Sequence, residues 1–150
     1  MGQTLTSLNY HLIFATKNRE PLLHHDIRPR LHEYMGGIIR QLNGVSRCVG
    51  GTADHLHIAC SLPPSQSVSD ALRTIKANSS RWIRSLSPKF SKFAWQSGYS
   101  AFTVSQSQLE VVIRYICDQE EHHRKMTFRE ELLGFYRKHG IEFDERYLWE

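Results

Sequence analysis

The chain has 150 residues, 40% hydrophobic and 23% charged, which is the composition of a soluble globular protein and the size of one domain, expected over 1–150. No apolar stretch is long enough to cross a bilayer, and the N-terminus lacks a signal-peptide pattern, so no membrane partner and a cytoplasmic location are expected. Nineteen Lys and Arg against fifteen Asp and Glu give a net charge of +4, compatible with a polyanionic partner without requiring one.

Residues 8–16, L-N-Y-H-L-I-F-A-T, alternate Leu8, Tyr10, Leu12 and Phe14 and predict a first strand. The turn K-N-R-E-P follows. From about His25 to Leu42, the residues Leu31, Met35, Ile38 and Leu42 recur at helical spacing, and Asn43-Gly44 supplies residues that tolerate a left-handed cap. Val45–Gly51 and His55–Leu62 read as two strands of a hairpin joined by a short polar connection. Ser67 is an N-cap for a helix whose stripe is Val68, Leu72, Ile75, Trp82 and Leu86, stopped by Ser87-Pro88. A fourth strand is centred on Tyr99 to Val104. Ser105 or Ser107 is expected to cap a third helix running to about His123, and a last amphipathic helix spans about Phe128 to His139 before Gly140. The order β-α-β-β-α-β followed by two helices is the α+β, ferredoxin-like arrangement with an antiparallel sheet. The three cysteines, Cys48, Cys60 and Cys117, form no C-x-x-C pair and read as buried thiols of a reducing compartment.

The stretch D-H-L-H-I-A-C at 54–60 holds the chemistry. Strand alternation sends His55 and His57 to one face and Leu56, Ile58 and Cys60 to the other. On the third helix, Leu109, Val112, Ile113 and Ile116 make the apolar face, and Tyr115, Gln119 and His122 fall in a neighbouring stripe. A helix packed on the open face of the sheet would carry Tyr115 and Gln119 toward the two histidines. Two imidazoles and an amide oxygen suit a divalent metal with open positions, and a phenol beside it is a candidate nucleophile toward a phosphodiester. Each feature also has an ordinary structural explanation: a chance histidine pair, a packed tyrosine, a solvated glutamine.

Taken together, D-H-L-H-I at 54–58, Y-I-C-D-Q-E-E-H-H-R at 115–124, Y-H-L-I-F-A-T-K-N-R-E-P at 10–21, I-K-A-N-S-S-R-W at 75–82 and W-Q-S-G-Y-S-A-F-T-V-S at 95–105 resemble the single-tyrosine transposases of the HUH superfamily. The resemblance implies a ferredoxin-like core with C-terminal helices carrying the catalytic tyrosine, and a homodimer. It also implies Tyr115 as nucleophile, and one Mg²⁺ or Mn²⁺ held by His55, His57 and Gln119. The implied reaction is metal-dependent cleavage and rejoining of single-stranded DNA with hairpins at insertion-sequence ends, through a 5′-phosphotyrosine. DNA-bound, such a protein is nucleoid-associated. Q-E-E-H-H-R departs from the N-P-x-R-type segment of repeat-associated relatives, which favours a mobile-element enzyme over a domesticated repeat-processing nickase. A replication-initiator or relaxase-type nickase fits this short chain with its single candidate tyrosine less well. A non-catalytic ferredoxin-like nucleic-acid-binding module stays open as the alternative from another class.

For DNA contacts, Lys17 and Arg19 lie in the turn after the first strand. Arg73, Lys76, Ser80 and Arg84 form one stripe of the second helix, which reads equally as a solvated face. Arg47 and Arg81 are weaker candidates, and Tyr99 and Phe102 are candidates for base stacking, with core packing the better reading for Phe102. Asp54 is expected to shape the turn. His11 is either a partner of the metal ligands or a buried, hydrogen-bonded histidine.

Overall fold

The computed structural model describes residues 2–148. Its elements are β1 (Asn9–Ala15), α1 (Arg28–Gln41), β2 (Val45–Gly51), β3 (His55–Ser61), α2 (Val68–Leu86), β4 (Ser100–Val104), α3 (Leu109–Cys117), α4 (Gln119–His122) and α5 (Phe128–Lys138). The four strands form one antiparallel sheet in the order β2-β3-β1-β4. With two helices inserted at the expected points, this is the predicted ferredoxin-like arrangement.

The two faces of the sheet are covered differently. Leu12 and Phe14 of β1 and Leu56, Ile58 and Cys60 of β3 join Leu31, Met35 and Ile39 of α1 and Leu72, Ile75 and Ile83 of α2 in the main core. On the opposite face, Ile13, Ala15 and Phe102 pack with Phe128, Leu132, Leu133 and Tyr136, so α5 covers the β1–β4 side. Helix α3 lies over β2 and β3. The period-two alternation of β1 and β3 therefore separates a hydrocarbon core from a face that carries histidines.

Several local expectations hold and others need correction. The Ser67 side chain accepts from Asp70 N, capping α2 as predicted. Asn43 adopts φ 62° and Gly140 φ 64°, the left-handed conformations that follow α1 and α5. Neither Ser105 nor Ser107 caps the third helix. Their hydroxyls bond each other at 3.1 Å, and a 3-10 turn at Gln106–Gln108 leads into α3. The expected continuous helix to His123 breaks at Asp118, whose φ −111° and ψ 28° separate α3 from α4. Of the three thiols only Cys60 is buried; Cys48 is half-buried and Cys117 is exposed at the end of α3. No helix among the described residues is long and apolar enough to cross a membrane.

Candidate active site

His55 and His57 project from β3, the inner strand between β2 and β1, into the face covered by α3, α4 and α5. Their strand neighbours leave room for the rings: Ala15 lies opposite His55, and Gly50 and Ile13 flank His57. Gly50 has a second effect. A Cβ there would collide with the carbonyl oxygen of Ile116, so only glycine lets the backbone of α3 approach this closely. That contact sets Tyr115, the residue before Ile116, over the histidine face. Break of the helix at Asp118 then turns Gln119 inward, where it is almost wholly buried.

These side chains converge. His55 Nε2 lies 3.2 Å from Gln119 Oε1. His57 Nε2 lies 2.9 Å from Glu131 Oε1, and Gln119 Nε2 donates to Glu131 Oε2 at 3.2 Å. The Tyr115 hydroxyl donates to Glu131 Oε2. His123 Nε2 lies 3.0 Å from Gln119 Oε1 and 3.4 Å from Glu131 Oε1. Phe128 stacks on the His55 ring with centroids 3.9 Å apart, and His122 stacks on Tyr115 at 4.3 Å. Thus His55, His57, Tyr115 and Gln119 are brought together within one chain, and Glu131 and His123 join them. Neither of the last two was expected from the sequence. Glu131 had a signal there, because a carboxylate interrupts the apolar stripe of Phe128, Leu132 and Phe135 on the last helix. His123 lies beyond the break, where helical periodicity no longer predicts direction.

Hydrogen-bond chemistry fixes the protons. A carboxylate only accepts, so the 2.8 Å bond from His55 Nδ1 to Asp54 Oδ1 places the proton on Nδ1 and leaves the Nε2 lone pair facing Gln119 Oε1. In the neutral ring these are two lone-pair atoms directed at each other, an arrangement that a cation between them satisfies. His57 donates from Nε2 to Glu131, so its Nδ1 accepts from His11 Nε2 at 2.8 Å. His11 is thereby both buried and hydrogen-bonded to a candidate ligand, an arrangement compatible with either of its two expected roles. Asp54 does more than shape the turn: it orients His55 and is itself held by Arg19 at 3.2 Å.

Electrostatics follow from burial. Burial pushes His57 down to about 4 despite the Glu131 carboxylate, and burial with the nearby His57 pushes His11 down to about 3. Burial opposes ionisation of Glu131, but bonds from His123, His57 and Tyr115 outweigh it and hold the carboxyl well below the usual range. Burial, the bond to Glu131 and its charge raise the Tyr115 phenol, which stays protonated. For His123, burial acts downward, and the Glu131 bond and charge prevail to raise it. Burial likewise pulls Asp54 upward, and the bond from His55 together with Arg19 brings it below its ordinary value.

The donor set fits a divalent cation. Ligand atoms of His55, His57, His123 and Glu131 all lie within 4.8 Å of one another. Opposite ligands at ~2.2 Å from one ion are about 4.4 Å apart. A cavity of about 560 Å³ adjoins Gln119 and is lined by Arg28, Arg124, His25, Gly50 and Gly51.

The candidate DNA-contacting residues divide. Lys17 is exposed. Arg19 bridges to Asp54 with its guanidinium 5.2 Å from the Phe128 ring centre, inside the site's support. Arg73 is exposed beside Asp70 at 3.1 Å. Lys76 Nζ donates to the carbonyls of Gln96, Ser97 and Gly98, and Arg84 donates to Phe93 O at 3.1 Å. Both tie α2 to the segment before β4. With Ser80, Trp95 and Tyr99, the side chains of Arg73, Lys76 and Arg84 line a second cavity of about 500 Å³. Tyr99 is partly exposed, whereas Phe102 is buried against Phe135 and His139, as its core reading predicted. Arg47 and Arg81 are exposed.

A four-stranded antiparallel ferredoxin-like sheet with a His-hydrophobic-His strand and a tyrosine helix on its open face defines the class of small HUH-type transposases. Residues 4–119 match the family described as Transposase IS200 like, and the chain belongs to that family. It is 27% identical over 120 residues to the ISDra2 transposase TnpA of Deinococcus radiodurans, covering 76% of this chain and 85% of that protein. Two solved structures share the fold. One is described as a transposase from Deinococcus radiodurans R1 (TM-score 0.62, 24% identity, 77% of this chain and 94% of that one). The other is a REP-associated tyrosine transposase bound to a REP hairpin (TM-score 0.56, 16% identity, 77% of this chain and 70% of that one).

Proposed function

We propose that this chain cleaves and rejoins single-stranded DNA at insertion-sequence ends, with Tyr115 as nucleophile and His55, His57 and Gln119 holding one Mg²⁺ or Mn²⁺. The observation that supports this most is the convergence of a tyrosine hydroxyl with these three donors, in a chain of this family. When bound, the cation supplies Lewis-acid polarisation of the phosphodiester. Asp54 and His11 orient the two imidazoles. The tyrosine oxygen forms a bond to phosphorus, the bond from phosphorus to the 3′-oxygen breaks, and the phenolic proton is transferred overall to the departing 3′-hydroxyl. A 5′-phosphotyrosine retains the bond energy for rejoining. His123 is the outermost member of the cluster, and its displacement would open a position for a phosphate oxygen.

The tyrosine and the ligands converge within the one chain. A homodimer and recognition of a DNA hairpin complete the proposal; a protein of the same fold is bound to a REP hairpin. Incubation with single-stranded transposon-end DNA and Mn²⁺ should give a denaturation-resistant adduct that chelator prevents and Tyr115→Phe abolishes. An adduct of undiminished yield from Tyr115→Phe would overturn the assignment of the nucleophile.

A further inference from the structure

Glu131 is a carboxylate on the apolar side of α5, 4% exposed, between Phe128 and Leu132. A hydrocarbon side chain would pack there without the desolvation cost that a buried charge carries when nothing compensates it. Among the described residues its ion-pair partners are all imidazoles: His55 at 4.0 Å, His57 at 2.9 Å and His123 at 3.4 Å. Its two oxygens face different parts of the site. Oε1 points to the imidazole nitrogens, and Oε2 accepts from both the Tyr115 hydroxyl and Gln119. The residue comes from a helix beyond the 4–119 segment that matches the family.

We propose that Glu131 is a fourth protein ligand of the cation and the positioning residue of the nucleophile, its carboxylate joining the ion to the Tyr115 hydroxyl. This rests on the metal-site reading above. One oxygen takes a coordination position beside His55, His57 and Gln119, which leaves two of six positions for phosphate and water. The other keeps the phenolic oxygen close to the bound phosphorus, so that attack is by a group already in place. Cation binding between His57 and Glu131 also requires His57 to carry its proton on Nδ1 and donate it to His11, reversing the bond now present.

The test compares wild type with Glu131→Gln, Glu131→Asp and His57→Ala. Mn²⁺ binding is followed by loss of the free-ion paramagnetic resonance signal, and adduct formation is measured at saturating Mn²⁺. Glu131→Gln is isosteric and should keep the wild-type melting temperature, while binding Mn²⁺ at least about 10-fold more weakly. It should also form adduct at least about 10-fold more slowly when saturated, with partial recovery of both in Glu131→Asp. If Glu131→Gln matches wild type in affinity and saturated rate while His57→Ala loses Mn²⁺, the role of Glu131 is refuted and the metal site stands. If wild type itself binds no Mn²⁺, both are refuted.

Discussion

His32, on α1 in the wall of the cavity beside Gln119, shows how a single residue sets a measurable property. Burial and the neighbouring Arg28 lower it from its ordinary 6.5 to about 4, so the folded protein holds it neutral where the unfolded chain would protonate it. Its contribution is therefore complete above pH 6.5 and is lost as pH falls toward 4, at up to about 1.4 kcal/mol per pH unit. Denaturant melts should show that His32→Leu narrows the stability loss of wild type between pH 6.5 and 4; equal losses would contradict the assignment. The histidines of the site were legible in D-H-L-H because strand alternation is a local rule. Glu131 was harder, because its meaning depends on a helix packing onto that strand from more than seventy positions away, a long-range contact that no local pattern specifies.

At the scale of elements, the packing of α3 on β2 decides whether the site assembles. Gly50 faces Ile116 where any Cβ would clash with backbone. Gly50→Ala should lift α3, cutting adduct formation by at least about 10-fold while β3 keeps its two histidines. Amide exchange of 109–117 should rise, and unchanged exchange would argue against this contact. The strands, α1, α2 and α5 were readable from periodicity and from Ser67, Asn43 and Gly140. The break at Asp118 was not, since the sequence there continues a helical pattern and only tertiary packing of Gln119 and His123 stops it.

Across the whole molecule, the basic side chains serve two purposes that mutation can separate. Arg73→Ala should weaken single-stranded DNA binding and reduce the salt dependence by about one phosphate contact, without changing the melting temperature. Lys76 holds three backbone carbonyls before β4 and is brought by burial to about 8. Lys76→Ala should therefore lower the melting temperature as well as binding. Equal melting temperatures for the two variants would show that Lys76 is not a structural pin. Covalent linkage of Tyr115 itself to DNA is the step on which the proposed reaction depends. Its most direct test is peptide mapping by mass spectrometry of the protein–DNA adduct after trypsin and nuclease digestion. A nucleotide phosphate should appear on Tyr115 in the peptide Y-I-C-D-Q-E-E-H-H-R; attachment to any other tyrosine, or DNA cleavage that leaves no protein adduct, would refute Tyr115 as the nucleophile.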